Sequence, residues 1–569
     1  MDAITRHRAA THRRSWHWAS SKTNPLGRRL RTNGMTTSRA GSTSQQSDRP
    51  AQPRAVWRIL AGLAAAGAAV GVGHLVASLV NPVASPVLAV GSALIDAAPT
   101  PAKEFAVRTF GTADKPILVG SVAVVLAIFG AVVGLIAWRR PRIAAVAIGL
   151  LGVAGAGAAL TRGPWTDAIP SVIAGAVGVL ALHLLRTRPV PSTMVAEPDE
   201  APDVEHPTAL DAAKGRSRRG FFLTLGGTAA AAAVAGAGGF VVGRVRDAAT
   251  AARRALGLPV PASAAKALPD GVQVQGVSSF TTPAPDFYRV DISLVTPHVD
   301  ASTWSLTLDG MVDRPLTLTY DDLLAMPLIE RDITLTCVSN EVGGPYVSTG
   351  RWLGVPFRDL IERVGVQPGV DQVYSYSLDS NYTCSTPFQA ITDGRDAMVV
   401  VGLNGEPLAD ERGYPARMLV PGLFGFVSAT KWLQRIEFTT YDKRTAYWTA
   451  RDWATDAPIL TQSRIEVPQS LKTLPKDKPV IAGVAWAQHR GIAKVEIRID
   501  EGDWKDAKLA ADGGIDLWRQ WSYIYDGPAG LHSAQVRATD LDGNTQPEER
   551  TKVFPSGARG WHEIQFTSV

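Results

Sequence analysis

Four long runs of apolar residues dominate the first 190 positions of the chain. They cover residues 56–80, 116–138, 143–160 and 168–185. Each run is close to the roughly 20 residues that an α-helix needs to cross a bilayer, and glycine and alanine are frequent, as in helices that pack closely in lipid. Residues 85–98 are apolar but too short to span, so we interpret them as an interfacial or loop segment. The pattern predicts a four-helix transmembrane region over residues 54–190.

Basic residues flank these runs unevenly, which predicts the orientation of the bundle. Residues 1–53 are rich in Arg, Ser, Thr and Gln and are expected to form a disordered, basic cytoplasmic tail. Further arginines lie at 139–142 and 186–188, after the second and fourth runs. The positive-inside rule places all of these cations in the cytoplasm if the chain crosses four times.

A fifth apolar run follows a predicted cytoplasmic linker at residues 191–216. Within residues 217–243, a pair of arginines, an aromatic residue and a weakly hydrophobic stretch resemble a twin-arginine export signal. An ordinary fifth transmembrane segment with flanking cations is the alternative. Both interpretations place the chain after residue 243 outside the cytoplasm, with residues 244–279 as a linker.

The hydrophobic pattern becomes that of a globular domain near residue 280. Residues 332–337 alternate apolar side chains with threonines, which predicts a strand with one buried face. Residues 355–364 repeat apolar side chains at helical spacing before a glycine, and the Asn404-Gly405 pair indicates a hairpin turn. Mixed strands and short helices predict an α+β domain over residues 280–460.

The last hundred residues have a different pattern, without helical spacing. Residues 493–499 alternate apolar and charged side chains, and further strand-like runs occur at 480–487, 518–525 and 531–539. Short strands separated by regular turn signals predict a β-sandwich at residues 461–569.

Composition limits the chemistry that the chain can perform. The charge balance is mild, with 58 Lys and Arg against 52 Asp and Glu, and we expect membrane lipid rather than nucleic acid around this protein. His74 and His183 lie singly in separate predicted spans, so no haem is predicted. Two cysteines, Cys337 and Cys384, are too few for a disulfide scaffold.

Cys337 occupies the last inward position of its predicted strand, next to a glycine-rich loop. A side chain held by a strand and open on one side is well placed to act as a ligand or a nucleophile. A small buried core thiol is the alternative, and the residue type alone favours it.

Eight short motifs occur in a specific order between residues 287 and 433. They are FYRVD (287–291), TCVSN (336–340), STGRW (348–352), SLD (377–379), NGEPL (404–408), GYPAR (413–417), VPG (420–422) and KWL (431–433). Together they resemble the sulfite oxidase family of molybdopterin-dependent oxidoreductases, over roughly half the chain. The resemblance implies an α+β domain that binds molybdenum–molybdopterin, followed by an immunoglobulin-like domain that commonly dimerises.

The resemblance also implies the residues of the site. Cys337 would be the protein thiolate on molybdenum, a soft donor for a metal that also carries the pterin dithiolene. The positions implied to bind the cofactor are Phe287, Tyr288, Arg289, Asp379, Arg412, Arg417 and Lys431. The cations among them suit an anionic phosphate. With Cys337, the substrate pocket would include Arg289, Arg351 and Trp453.

Three positions depart from the family's pattern near the expected substrate. Glu341 and Val342 stand where sulfite oxidases have two arginines, and Trp453 stands where they have a tyrosine. A site for a small dianion needs its cations, because a buried unpaired charge is costly. Sulfite is therefore not the expected substrate.

The sequence thus predicts a multi-pass membrane protein with an oxidoreductase domain outside the cytoplasm. It would transfer an oxygen atom at molybdenum to or from an oxyanion, sulfoxide or N-oxide, and exchange electrons with a separate carrier or a membrane redox partner. Two alternatives are a sulfite dehydrogenase with an altered anion site and a non-catalytic membrane receptor or assembly protein that kept the fold. A homodimer is possible under any of them.

Overall fold

The computed structural model describes most of the chain from residue 55 onward. The described residues are 55–99, 102, 105–106, 109–110, 114–187, 223–230, 232–234, 237, 257–378 and 382–569. The predicted basic tail, the linker at 191–216, the paired arginines at 218–219 and Asp379 lie outside them.

Five helices form an N-terminal bundle. They are α1 (Ala55–Val80), α2 (Pro86–Ala97), α3 (Asp114–Ala137), α4 (Pro141–Leu160) and α5 (Ile169–Thr187). Among the described residues, the four helical segments at α1, α3, α4 and α5 are long and apolar enough to cross a membrane. This confirms that the four predicted runs form helices with the length and composition of membrane spans. The predicted interfacial segment forms α2, which is too short to span, and Leu223–Val234 is another short apolar helix.

Glycine lets the bundle helices approach each other at backbone distance. A Cβ at Gly62 of α1 would overlap the backbone of Gly130 and Gly134 on α3, and Gly152 of α4 faces the Cα of Gly175 on α5. Small residues at such contacts allow the dispersion attraction that holds helices together in lipid.

Two sheets make up the α+β domain. Its strands are β1 (Ser305–Gly310), β2 (Leu316–Thr319), β3 (Ile329–Thr336), β4 (Val347–Pro356), β5 (Gln372–Ser377), β6 (Thr383–Pro387), β7 (Met398–Leu403), β8 (Glu406–Pro407), β9 (Arg417–Leu419) and β10 (Leu433–Thr439). One sheet has the order β2-β1-β10-β5-β6 and the other β3-β4-β7-β8, with β9 paired to β7. The short helices are α6 (Tyr320–Leu324), α7 (Phe357–Val364), α8 (Gln389–Thr392) and α9 (Gly425–Ser428).

Local sequence explains most of these boundaries. Gly365 caps α7 in the left-handed conformation with φ +66°, and Asn404 and Gly405 both have positive φ in the hairpin turn between β7 and β8. The predicted helix at 355–364 begins two residues late, at Phe357. Val355 and Pro356 instead pair with β7.

The strand that leads to Cys337 is buried on both faces, which differs from the one-faced prediction. Thr334 and Thr336 are fully or nearly fully buried. The Thr334 hydroxyl accepts a 2.9 Å hydrogen bond from the backbone N–H of Trp518, and the Thr336 hydroxyl accepts one of 2.9 Å from the Gln488 amide. The C-terminal region thus covers the face that the threonines were expected to expose.

The C-terminal region consists of two sheets over one core. Its strands are β11 (Gln462–Val467), β12 (Lys472–Leu474), β13 (Val480–Trp486), β14 (Ile492–Ile499), β15 (Lys505–Asp506), β16 (Lys508–Leu509), β17 (Arg519–Ile524), β18 (Gly530–Asp540) and β19 (His562–Ser568). The sheet orders are β11-β13-β17-β16 and β12-β19-β18-β14-β15. Ile481 and Trp521 from the first sheet pack with Val495, Val536 and Phe566 from the second.

Candidate active site

A cavity of about 360 Å³ lies beside the end of β3. Seven of the residues predicted to form the site line it: Phe287, Tyr288, Cys337, Arg412, Arg417, Lys431 and Trp453. The fold therefore brings together segments that are up to 166 positions apart in the chain.

Cys337 follows β3 directly and is held by the loop that the sequence predicted. Its backbone N–H donates to the carbonyl of Tyr346 at 3.0 Å, which extends the β3–β4 ladder by one bond. Cys337 is half-buried, and its sulfur accepts from the N–H of Ser339 at 3.4 Å. Burial raises the pKa of the thiol, and this N–H partly offsets the rise. By contrast, Cys384 is fully buried and bonds the Tyr382 hydroxyl.

Arg412, Arg417 and Lys431 form what we call the cationic wall of the cavity. Arg412 and Arg417 are 4% and 5% exposed. The guanidinium of Arg412 donates to the carbonyls of Tyr288 and Ala284 at 2.7 and 3.0 Å. Arg417 donates to the carbonyls of Arg412 and Ala429, both at 3.3 Å. Neither guanidinium has a carboxylate partner within the described residues.

Burial weakens the protonated state of both arginines. It lowers the pKa of Arg412, and it lowers that of Arg417 to about 10. The Nε atoms of both side chains are buried and lack a hydrogen-bond acceptor among the described residues. A buried donor without an acceptor is costly, so each of these groups is suited to an anionic ligand.

Lys431 completes the cationic wall and is tied to a buried carboxylate. Its ammonium group donates to Asp291 at 2.9 Å and to the carbonyl of Glu411 at 3.1 Å. Burial lowers the pKa of Lys431 to about 8, against the opposing charge of Asp291. Burial alone would raise the pKa of Asp291. The positive charges of Lys431, Lys115 and Arg289 outweigh this effect, so the pKa lies well below the usual range.

Two predicted arginines do not line the cavity. Arg289 donates to Asp291 at 3.0 Å and to the Thr296 hydroxyl at 2.9 Å, so it contacts the carboxylate of Asp291 without lining the cavity itself. Arg351 forms a bidentate pair with Asp332, at 2.9 and 2.8 Å. Because Asp332 lies directly opposite Arg351 in the β3–β4 register, the strand pair itself holds this guanidinium away from the other site residues.

Phe426, Tyr447, Trp448 and Trp453 form a second surface, which we call the aromatic wall. Trp453 contacts Phe426 and Trp448 with ring centroids 5.8 Å apart in both cases, and Trp448 contacts Tyr447 at 5.1 Å. The indole N–H of Trp453 is buried and has no acceptor among the described residues. Trp453 was predicted here; its neighbours were missed, although the tyrosine and tryptophan at 447–448 lie only six and five positions before it.

The N-terminal helical bundle supplies a third part of the lining, which the sequence analysis did not foresee. Leu94 and Ile95 of α2 line the cavity, and so do Lys115 and Leu118 of α3. No local pattern marks these residues as functional, because their partners lie far along the chain.

These surroundings fit a molybdenum–molybdopterin cofactor. One thiol is available as a metal ligand beside buried cations whose donors are incompletely used, which is the chemistry that a soft metal and an anionic pterin phosphate require. Cys337 would be the protein ligand, and the cationic wall would hold the anionic part of the cofactor.

Comparisons with known proteins agree with this site. Residues 293–448 match a family model described as an oxidoreductase molybdopterin binding domain. Mitochondrial sulfite oxidase of Homo sapiens is 27% identical over 339 residues, which cover 50% of this chain and 61% of the human protein. The enzyme of Rattus norvegicus is 26% identical over 344 residues, covering 51% and 62%. The chain thus spans about three fifths of the length of these relatives.

Two further relatives extend the comparison. An NADH nitrate reductase of Solanum lycopersicum is 29% identical over 338 residues, covering 48% of this chain and 36% of the reductase. Among solved structures, sulfane dehydrogenase SoxCD from Paracoccus pantotrophus has a TM-score of 0.44 and 23% identity, over 51% of this chain and 81% of that chain. The matched domain and the sulfite oxidase relatives identify a molybdopterin-binding oxidoreductase domain of the sulfite oxidase type in residues 293–448, which agrees with the thiol and the cations in one cavity.

Proposed function

We propose that this chain is a membrane-bound molybdenum oxidoreductase that transfers an oxygen atom to or from an organic sulfur or nitrogen oxide outside the cytoplasm. The observation that carries the proposal is the convergence of Cys337, the cationic wall and the aromatic side chains on one cavity. A separate electron carrier or membrane redox partner would exchange the two electrons.

Each wall has a distinct task in this proposal. Molybdenum bound to the pterin supplies two-electron oxygen-atom transfer. Cys337 anchors it, and Arg412, Arg417 and Lys431 bind the anionic part of the cofactor through charge-assisted hydrogen bonds. The aromatic wall excludes water and orients the organic part of the substrate. The unpaired N–H of Trp453 is available to donate to the substrate oxygen.

The aromatic wall favours a neutral oxide over a dianion. Arg451 is the cation nearest to this wall in sequence. Its guanidinium stacks over the Tyr447 ring at 3.7 Å and donates to the Tyr447 carbonyl at 2.7 Å. Arg451 is absent from the described cavity lining, and Arg351 is held by Asp332. Sulfoxides and N-oxides, which are polar but uncharged, suit such a surface better than sulfite.

The position of the catalytic domain supports its placement outside the cytoplasm. Asp96, in the last turn of α2, and Lys115, in the first turn of α3, both contact this domain. The arginines at 139–142 follow the other end of α3, about 35 Å away at 1.5 Å per residue. The positive-inside rule assigns that end to the cytoplasm.

The strand order of the C-terminal sandwich supports an immunoglobulin-like domain. Immunoglobulin sandwiches pair strands A, B, E and D in one sheet and C, F and G in the other. The sheet β11-β13-β17-β16 has the order A-B-E-D when its strands are lettered along the chain. In the other sheet, the neighbouring strands β14, β18 and β19 correspond to C, F and G. In the family such a domain commonly dimerises, so we extend the homodimer to this chain as part of the proposal.

Metal analysis tests the proposal most directly. The full chain purified in detergent from a molybdenum-competent host should contain about one molybdenum per polypeptide, and Cys337→Ser should reduce this to background because the metal loses its protein thiolate. Cys384→Ser is the matched control and should retain the metal. A wild-type chain without molybdenum under these conditions would refute the proposal.

Activity assays then identify the substrate class. With a reduced artificial donor, wild-type protein should turn over sulfoxides or N-oxides. Sulfite-dependent reduction of an artificial acceptor at a higher kcat/KM would instead favour the sulfite dehydrogenase alternative. A molybdenum-loaded chain inactive on the whole panel would favour the non-catalytic alternative.

A further inference from the structure

The membrane bundle is fixed to the catalytic domain next to the candidate active site. The Tyr447 hydroxyl donates to Asp96 at 2.9 Å, and Asp96 also accepts from the guanidinium of Arg162 at 2.7 Å. The Lys115 ammonium donates to Asp291 at 2.5 Å. Tyr447, Lys115 and Asp291 all line the cavity. The bundle is therefore part of the cavity's boundary and not only a membrane attachment.

Asp291 is surrounded by three cations. Its side chain, 6% exposed, forms ion pairs with Lys115, Lys431 and Arg289. These three cations surround one carboxylate, beside two arginines that have no carboxylate partner in the described chain. Concentrating like charges in a partly buried site is unfavourable unless an anion joins them.

A purely structural role for Lys115 is the competing explanation, in which it only attaches the bundle to the catalytic domain through Asp291. Lys431 and Arg289, however, already bind Asp291 from within the catalytic domain. Neutralising this carboxylate does not require a third cation. Lys115, unlike Arg289, also lines the cavity.

We propose that Lys115 of the membrane bundle belongs to the cofactor-binding site, where it contacts the anionic phosphate-bearing part of the pterin cofactor together with Lys431. The bundle would thus close the cofactor site with a cation and with the apolar side chains of Leu94, Ile95 and Leu118. This inference rests on the proposed function, because it requires the chain to bind that cofactor.

Two substitutions on one ion pair separate the cofactor role from the attachment role. Lys115→Met removes the cation and keeps the length of the side chain, whereas Asp291→Asn breaks the same ion pair but leaves Lys115 charged. If Lys115 binds the anion, Lys115→Met should release the cofactor about tenfold faster, as expected for one lost charge-assisted hydrogen bond. Asp291→Asn should release it no faster than wild type, because the site becomes more positive.

The readout is cofactor content of the full detergent-solubilised chain after timed gel filtration, as molybdenum per polypeptide and as pterin fluorescence after oxidation. Lys115→Arg should restore retention, and Lys443→Met, at an exposed lysine outside the lining, should match wild type. Equal acceleration by Lys115→Met and Asp291→Asn would overturn the inference in favour of attachment alone. Wild-type retention in Lys115→Met would also overturn it. In both cases molybdenum in the wild-type chain would leave the proposed function standing, whereas its absence there would remove both.

Discussion

The cationic and aromatic walls of the cavity differ in how their side chains are held and in whether the protein satisfies them. Arg412 and Arg417 are held by backbone carbonyls, retain unused Nε donors and lack carboxylate partners in the described chain. Trp448 and Trp453 carry no charge and are held by edge-to-face contacts with other rings, and only the indole N–H of Trp453 lacks a partner in the described chain. The cationic wall is therefore electrostatically incomplete without an anion, while the aromatic wall is nearly complete alone.

This difference implies that the cationic wall binds the cofactor and that the aromatic wall acts on the substrate. A buried charge without a counter-ion destabilises the folded chain until a ligand supplies one, so the cationic wall should govern cofactor binding and cost stability in the empty protein. The aromatic wall should contribute to packing in every state and affect only substrate turnover. Substitutions in the two walls are therefore expected to change different measured quantities.

The largest effect is expected at Arg417. Arg417→Met replaces a buried guanidinium by an apolar side chain of similar length, so the cofactor-free chain should become more stable to unfolding, by about 1–4 kcal/mol. The same change should reduce cofactor retention by about tenfold to a hundredfold, because charged hydrogen bonds to the anion are lost. Thermal unfolding of the cofactor-free chain and molybdenum content measure the two effects.

Arg435→Met is the matched control, since Arg435 is partly exposed and pairs with Asp309. This substitution should change the free energy of unfolding of the cofactor-free chain by less than about 1 kcal/mol and leave cofactor retention unchanged. A cofactor-free Arg417→Met chain that is less stable than wild type would show that Arg417 is satisfied by the protein, and the contrast between the walls would fail.

The residues of the cationic wall were largely predictable from the sequence, because Arg417 and Lys431 lie in ordered short motifs and Arg412 directly precedes one of them. The four helices that are long and apolar enough to cross a membrane were predictable from hydrophobicity alone, since crossing a bilayer requires long apolar runs. Cys337 could be placed at a strand end from the alternation of residues 332–337. What the alternation did not reveal was the second buried face of that strand, because Gln488 and Trp518, which cover it, lie more than 150 positions later.

The differences between the predicted site residues and the lining of the cavity have the same origin. Arg351 was predicted to lie in the substrate pocket, but it forms an ion pair with Asp332 on the neighbouring strand. This pairing follows from the β3–β4 register, which cannot be read from either strand alone. Lys115 and Asp96 were not assigned any function, because their partners are 176 and 351 positions away. Local patterns carry no information about such tertiary pairs.

A smaller effect is expected from pH, acting through Lys431. Because its pKa lies at about 8, cofactor retention should be constant below that pH and fall by at most about tenfold per pH unit above it, as the cation is lost. The stability of the cofactor-free chain should change oppositely. Between the lowered pKa and the usual value near 10.4, the unfolded chain binds more protons at this lysine, so its contribution to stability rises with pH.

Retention measured from pH 6.5 to 9.5 tests this expectation. Lys431→Arg should give a flat profile, because a guanidinium remains protonated across the range. An identical fall in wild type and in Lys431→Arg would assign the pH dependence to another group.

The smallest effect is expected in the aromatic wall, at Trp453. Trp453→Phe removes the unpaired indole N–H and should lower kcat/KM for a sulfoxide or N-oxide by about two- to tenfold, the value of one net hydrogen bond. Molybdenum content should stay at the wild-type level. Trp486→Phe is the matched control, because the N–H of Trp486 is also buried without an acceptor in the described chain but lies outside the cavity lining. A loss of molybdenum in Trp453→Phe, comparable with that of Arg417→Met, would show that the two walls bind the same ligand and act as one.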